Sequence, residues 1–312
     1  MTYKILLSRA LPIPPLRIGG QPIEVCVYER DAHENENAQV YCTTALDKAD
    51  AVLINSLPDS VGLIANIGVG TDNIDLKAVQ AKGITVSNTP VVTEDTADLA
   101  FALILSAARR ISANEKFVRA GQWSSTKPLA AMGQSVHGKT LGILGFGAIG
   151  QAVARRAKGF NMNIIYHGPN QKPEAEADLG AKYAGDLQTF LSQIDILSLH
   201  CPLSTQTKYI LGKDTLAHLQ KGAIVVNTGR GALIDESALV AALESGQVGA
   251  AGLDVFEHEP DIHPGLLEMS NVTLTPHIGS ATDECRTQMA MRAIGNILNF
   301  LEHGHPIDSV TL

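Results

Sequence analysis

The stretch that decides the fold is TLGILGFGAIG, residues 140–150. Its apolar first half reads as a buried strand, and Gly145, Gly147 and Gly150 follow it as G-x-G-x-x-G. In that pattern the first glycine permits a tight turn, the second lets backbone approach a pyrophosphate, and the third lets the next helix pack closely on the strand. Ile149, Val153, Ala157 and Phe160 then recur at helical spacing. A helix over 149–160 would lie on the sheet and aim its first N–H groups at phosphates. With a strand before it and a helix after it, the glycine triplet reads as a dinucleotide fingerprint.

Outward from this point, the apolar segments NIIYH (163–167), DILSLH (195–200), AIVVN (223–227), AAGLDV (250–255) and VTLTP (272–276) alternate with helical stretches. That is the βαβ pattern of a parallel sheet covered on both faces. Two long helices bracket it. One begins at Thr93, with Glu94 and Asp95 in the favourable first turn, Arg109 and Arg110 in the last, and Leu99, Leu103, Ala107 and Ile111 as a buried stripe. The other runs from about Thr282 to His303. Ser280 and Asp283 are spaced as its capping box, Ile294, Ile297, Leu298 and Leu301 form its apolar face, and Gly304 stops it. The expected architecture is α/β, with two Rossmann-like, doubly wound parallel-sheet domains joined by these crossing helices. A nucleotide-binding domain is expected over 94–279 and a flavodoxin-like substrate domain over 1–93 plus 280–312.

Composition agrees with an enzyme of this build. The 312 residues are 45% hydrophobic and 18% charged, enough apolar side chain for about two domain cores. A formal charge of −8 without a Lys/Arg run argues against nucleic acid as a partner. No run approaches a membrane span and the amino terminus lacks a signal-peptide pattern, so a cytoplasmic protein is expected. Cys26, Cys42, Cys201 and Cys285 show no CxxC or metal-like spacing, which suits reduced, structural thiols and no metal site.

The segments IANIGVGTDNID (64–75), TADLAFALILSAARRI (96–111), LHCPLSTQT (199–207), VVNTGRGALID (225–235), GLDVFEHEP (252–260) and TPHIGSAT (275–282), with the fingerprint, resemble the D-isomer-specific 2-hydroxyacid dehydrogenases. Among these the chain looks most like the glyoxylate/hydroxypyruvate reductases. The resemblance implies reduction of a small 2-keto acid to the D-2-hydroxy acid by hydride from a nicotinamide cofactor. Carried over residue by residue, it makes His277 the proton donor, a role that histidine suits near neutrality. Glu259, immediately before Pro260, orients the other imidazole nitrogen and favours its charged form. Glu257, two residues earlier, is expected to be a solvated side chain. Arg230 is the planar fork for carboxylate and keto oxygens.

Around these, the resemblance implies that Asp254 accepts the nicotinamide carboxamide and that the Val69–Gly70 turn binds the substrate carboxylate through its N–H groups. Cofactor contacts are further implied at Gly145, Gly147, Ala148, Ile149 and Gly150, at Cys201, Pro202 and Thr207 under the adenosine and pyrophosphate, and at Thr228, Gly229, Arg230, His277 and Gly279. Trp123 falls where family members make dimer contacts, so a homodimer is expected, with core packing as the alternative. Two other readings remain. A nucleotide-sensing corepressor can keep the catalytic trio on this scaffold. A dehydrogenase of another small acid is the second, although formate enzymes typically carry glutamine where Glu259 stands.

Nucleotide choice is read after the second strand of the fold, where an acid would accept the ribose 2′-OH. The chain has Tyr166, His167, Gly168, Pro169, Asn170, Gln171 and Lys172 there, and no carboxylate before Glu174. His167, Asn170 and Lys172 are donors for a 2′-phosphate, so NADPH is expected, with NADH possible; an arginine common in NADPH-using members is missing. Upstream of residue 63 the resemblance is weak. AVLIN (51–55) and GLIANIG (62–68) both read as strands, with only Ser56 to Val61 between them. A parallel crossover needs about ten to twelve residues. A pared-down substrate domain is therefore expected, with SLPDS as a short loop, Leu57 its only apolar contact to substrate, and a raised KM.

Overall fold

In the computed structural model, which describes residues 3–30 and 32–311, the amino-terminal segment carries strands β1 (Lys4–Leu7), β2 (Arg17–Ile18), β3 (Gln21–Pro22), β4 (Glu24–Val27), β5 (Val40–Thr44), β6 (Leu63–Ile67) and β7 (Thr85–Ser87), and helices α1 (Ala51–Ser56) and α2 (Leu76–Ala81). The proline-rich LPIPPLRIGGQP contains no helix; β2 and β3 make a small antiparallel hairpin within it. The other five strands form a parallel sheet in the order β4-β1-β5-β6-β7. Its side chains alternate between two cores, as the pleat requires. Ile5, Leu7, Val40, Cys42, Leu63 and Ala65 enter one. Leu6, Tyr41 and Ile64 enter the other, with Ile54, Leu57 and Val79.

AVLIN is not a strand, which corrects the sequence expectation. Asp50 caps a helix there by accepting from the Leu53 N–H at 3.0 Å. Ile54 is fully buried while Val52 is 60% exposed, the one-sided burial of a short surface helix. The β-branched run suggested a strand, but the capping carboxylate decided the local structure. The strand is VYCTT, β5, so residues 45–62 form a full crossover containing α1. The substrate domain is not pared down in the way expected, and the raised KM loses its basis.

The next segment comprises α3 (Thr93–Arg109), α4 (Ile111–Arg119), β8 (Thr140–Leu144), α5 (Ala148–Lys158), β9 (Asn163–His167), α6 (Pro173–Leu179), β10 (Ala181–Tyr183), α7 (Leu187–Ser192), β11 (Ile196–Leu199), α8 (Lys213–Ala217), β12 (Ala223–Asn227), α9 (Glu236–Glu244), β13 (Val248–Leu253), α10 (Pro264–Glu268) and β14 (Val272–Leu274). All seven strands pair in parallel in the order β10-β9-β8-β11-β12-β13-β14. The chain reverses direction across the sheet between β8 and β11, and such a switch point is where open α/β sheets bind ligands. The molecule is thus α/β with two parallel sheets. It divides into two compact units, one from residues up to Val92 with those from Thr282 onward, the other from Thr93 to Ala281.

Both long helices exist, with altered ends. Arg110 adopts a left-handed conformation (φ 54°) that separates α3 from α4. Ile111 therefore starts a new helix and is 51% exposed rather than part of the buried stripe. The last helix, α11 (Asp283–His303), is capped by Thr282, whose hydroxyl accepts from the Cys285 N–H at 3.0 Å, and not by Ser280. Gly304 ends it at φ 80°. Within their own units, α3 packs on β12, β13 and β14, and α11 packs on β6. None of the four cysteines, all among the described residues, forms a disulfide, and Cys42 and Cys285 are buried. Among the described residues no helix is long and apolar enough to cross a membrane.

Candidate functional site

The glycine loop at the switch point has the geometry its sequence demands. Gly145 ends β8 at φ 95°, and a Cβ there would lie 2.4 Å from the Cys201 backbone nitrogen in the loop after β11. A Cβ on Gly150 would lie 2.3 Å from the Gly145 carbonyl oxygen, so the first turn of α5 sits directly on the loop. A Cβ on Gly147, by contrast, meets nothing within 4 Å. The amino-terminal end of α5 at Gly147 thus faces open space, a geometry that suits an anion.

The acid–base pair forms at the carboxyl end of the same sheet. After β14 the chain turns at His277, which has φ 54°. Such backbone is costly for a residue with a side chain and persists where its surroundings over-determine it. Here they do. The His277 N–H donates to the Asp254 carbonyl at 2.8 Å. Asp254 Oδ1 accepts from Ile278 N–H at 2.8 Å and the Thr275 hydroxyl at 2.7 Å, and Oδ2 accepts from Gly279 N–H at 2.9 Å. Burial pushes the Asp254 carboxyl up; these three donors and the nearby His277 only partly offset it.

The turn delivers His277 Nδ1 to Glu259 Oε2 at 2.7 Å, and Glu259 Oε1 accepts from the Phe256 N–H at 3.0 Å. A carboxylate only accepts, so Nδ1 carries a hydrogen and Nε2 is the nitrogen left for proton exchange. Burial pushes Glu259 up, yet the His277 bond, the Phe256 N–H and the charges of His277 and Arg230 outweigh it and hold the carboxyl below its ordinary value. The two side chains are 36% and 29% exposed, which leaves the pair open to a small ligand.

Arg230 follows β12 in a turn closed by its predecessor strand. Asn227 Nδ2 donates to the Arg230 carbonyl at 2.9 Å, and Asn227 Oδ1 accepts from the Gly229 N–H at 3.0 Å. Thr228 beside it is 9% exposed, and its hydroxyl has no hydrogen-bond partner among the described residues. Glu257 departs from expectation. Its side chain is only 18% exposed and accepts from the Tyr209 hydroxyl, so it is tied into the loop after β11 rather than solvated. In that loop Thr207 organises its own turn, donating to the Pro202 carbonyl at 2.7 Å and accepting from the Ser204 N–H at 2.8 Å.

The loop after β9 keeps its acids occupied. Glu176 accepts from the Tyr166 hydroxyl at 2.5 Å and from Gln171 at 3.0 Å. Asp186 caps α7 through Thr189. His167 Nδ1 donates to the Ala184 carbonyl at 2.8 Å, so a neutral His167 has no second N–H to give. The Tyr183 hydroxyl donates to the Gly168 carbonyl at 3.0 Å, and Pro169, Asn170 and Lys172 are exposed.

In the other unit, the turn after β6 is held on three sides. Gly68 exchanges bonds with Thr89 (2.9 and 3.0 Å), Asn88 Nδ2 donates to the Val69 carbonyl at 2.8 Å, and Asn66 Nδ2 donates to the Gly70 carbonyl at 2.8 Å. Leu57 is not near the surface; at 2% exposure it packs in the core under α1 and has no area to offer a substrate. Leu46, which the sequence reading does not single out, is 71% exposed on the turn after β5. Its neighbour Ala45 abuts Gly68. The signal available was Asp47, whose carboxylate gathers Ser8, Arg9 and Thr44 and so fixes that turn.

Residues 101–279, more than half of the chain, match the family described as D-isomer specific 2-hydroxyacid dehydrogenase, NAD binding domain. The chain belongs to that family. This dehydrogenase is 48% identical over 263 residues to a glyoxylate reductase of Thermococcus litoralis, covering 83% of this chain and 79% of that one. It is 40% identical over 313 residues to a glyoxylate reductase of Pyrococcus furiosus, covering 96% and 93%. Among solved structures it is similar to a glyoxylate reductase from Paecilomyes thermophila (TM-score 0.89, 36% identity, 99% and 98% covered). It is also similar to an NADPH-dependent glyoxylate/hydroxypyruvate reductase from Sinorhizobium meliloti, in complex with NADP and malonate (TM-score 0.88, 30% identity, 100% and 97% covered). The residues present fit a nicotinamide dinucleotide, because the dehydrogenase has open space over Gly147 and an unpartnered, buried Thr228 hydroxyl in the loop after β12.

Proposed function

We propose that the protein reduces glyoxylate, and with it hydroxypyruvate, to the 2-hydroxy acid, using NADPH and His277 as proton donor. The observation that carries this reading is the His277–Glu259 pair, held at 2.7 Å by a left-handed turn that Asp254 clamps. The reduced nicotinamide supplies the hydride. His277 Nε2 gives its proton to the carbonyl oxygen, and Glu259 stabilises the imidazolium that does so. Arg230 holds carboxylate and keto oxygens as a planar fork, which orients the carbonyl and stabilises charge developing on its oxygen. Asp254 Oδ2 carries one protein donor, and its second lone pair suits a carboxamide N–H. Gly145, Gly147 and Gly150 shape the pyrophosphate loop, while Cys201, Pro202 and Thr207 border the adenosine side. The Val69–Gly70 turn supplies N–H groups for a carboxylate, and the neighbouring Leu46 is the apolar contact for the substrate's variable end.

The preference for NADPH rests on the loop after β9, where Glu176 and Asp186 are engaged elsewhere and Asn170 and Lys172 are exposed. A dissociation constant lower for NADPH than for NADH is expected, and Lys172→Ala should weaken NADPH selectively. Equal losses for both nucleotides would make Lys172 a bystander. For assembly we favour a homodimer, because Trp123 is 66% exposed and Met132 77%, apolar area that core packing does not explain.

Glu259 sets the pH behaviour. Its carboxyl is held below the ordinary 4.5. A depressed carboxyl stabilises the fold above its unfolded value and loses that contribution as pH falls through the lower folded value. The pair therefore persists throughout the neutral range. Glu259→Gln removes this titrating carboxyl, so the stability lost in the parent as pH falls through its folded value should no longer be lost there, and kcat for reduction should fall because the carboxylate facing His277 Nδ1 is gone. An acid-side stability profile and a kcat both unchanged from the parent would show that Glu259 does not act through His277.

A further inference from the structure

The turn at Val69 and Gly70 is not held by its own strand alone. Asn88, in the loop after β7, donates from Nδ2 to the Val69 carbonyl at 2.8 Å. The carbonyl of Asn88 in turn accepts from Asn296 Nδ2 at 2.9 Å. Asn296 lies on α11 and is fully buried, a polar residue on the helix face that otherwise offers Met289, Ala293 and Ile297 to the core. A buried amide persists when its bonds are made, and those of Asn296 run to the carboxyl-terminal tail. Its Oδ1 accepts from the Asp308 N–H at 2.8 Å, and Nδ2 also donates to Asp308 Oδ2 at 3.2 Å. Asp308 is fixed from the other side by Arg292, whose Nη2 donates to Oδ1 at 2.6 Å and whose Nε donates to Oδ2 at 2.5 Å. Beyond it the tail pairs with the free edge of β7, through a bridge between Ser309 and Ser87 and a 2.9 Å bond from Val310 N–H to the Val86 carbonyl.

We infer that Asn88 and Asn296 are positioning residues for substrate carboxylate binding, linking the docked carboxyl-terminal tail to the Val69–Gly70 turn. The inference rests on the reading of that turn as a substrate-binding element. Neither asparagine touches substrate in this account. They fix the direction in which the turn's N–H groups point, because a peptide plane whose carbonyl is pinned has its N–H pinned on the opposite side. An interaction of this kind serves ground state and transition state alike, so its loss raises KM and spares kcat.

The test uses the full-length protein with Asn88→Ala, the isosteric Asn88→Asp, and Asn296→Leu. Glyoxylate KM and kcat, NADPH dissociation constant, and backbone hydrogen exchange over residues 66–72 are the readouts. Asn88→Asp keeps the volume but removes the donor, so it separates the bond from packing; Asn88 is part-exposed, which makes this variant safe to fold. Each variant is expected to speed exchange in the turn and raise glyoxylate KM by roughly 5- to 20-fold, the scale of one lost hydrogen bond. kcat should stay within about threefold, and NADPH affinity should not move. As a control, Ile54→Val thins the core of the same unit and should lower thermal stability without changing KM. Unchanged exchange with unchanged KM would overturn the link. Faster exchange with unchanged KM would instead overturn the substrate role of the turn, and the inference with it. A parallel loss of kcat and NADPH affinity would show general destabilisation and overturn the positioning role as well.

Discussion

His277→Ala is expected to lower kcat for glyoxylate by roughly 10²- to 10⁴-fold, the range for losing a positioned general acid. NADPH affinity should stay near that of the parent, because the imidazole is held by Glu259 and by its own turn rather than by the nucleotide loops. The effect is confined to proton delivery, since the clamp from Asp254 to residues 278 and 279 uses backbone N–H groups that alanine retains. Steady-state kinetics with a parallel nucleotide titration check it. Turnover within tenfold of the parent would remove His277 from the mechanism.

Arg230→Gln is the second large effect. It keeps a polar side chain on the turn after β12 but removes the charge and the fork that hold carboxylate and keto oxygen together. A fall in kcat of about 10²- to 10³-fold is expected, as for deletion of a donor that stabilises developing oxyanion charge, together with a rise in KM for every 2-keto acid. The backbone turn should survive the loss of the 2.9 Å bond from Arg230 Nη1 to the Gly229 carbonyl, because Asn227 still binds the carbonyl of residue 230 and the N–H of residue 229. If KM alone changes, Arg230 binds the carboxylate and has no part in the reaction itself.

The second unit was largely legible because its chemistry and its folding ask for the same residues. Gly145 and Gly150 are required because a Cβ on either would collide with neighbouring backbone, at Cys201 and at the Gly145 carbonyl, so the glycine spacing is at once a fold signal and a site signal. The strands NIIYH, AIVVN and VTLTP are mostly apolar because both sheet faces are covered. His277 and Glu259 are eighteen positions apart yet meet at 2.7 Å; that contact was readable from the resemblance, whereas the left-handed turn that creates it was not. Nor was the engagement of Glu257 by Tyr209, which depends on a loop from a different strand.

The first unit was misread where local preference and tertiary context conflict. AVLIN has the composition of a strand, and the single Asp50 cap reverses it. That one error displaced the crossover helix, made the domain look short, and put Leu57 at the surface when it lies in the core. Leu46, on the turn that Asp47 fixes, escaped notice because a lone exposed leucine carries no periodic signal. The bond from Asn296 to Asn88 was equally invisible, since it joins positions 208 apart in the chain.

The most direct measurement is the consumption of NADPH by the purified protein on addition of glyoxylate or hydroxypyruvate, with the product identified. Turnover with both is expected, one NADPH oxidised for each glycolate or D-glycerate formed. Tight NADPH binding without turnover of either acid would contradict it and leave a nucleotide-sensing protein on a dehydrogenase scaffold.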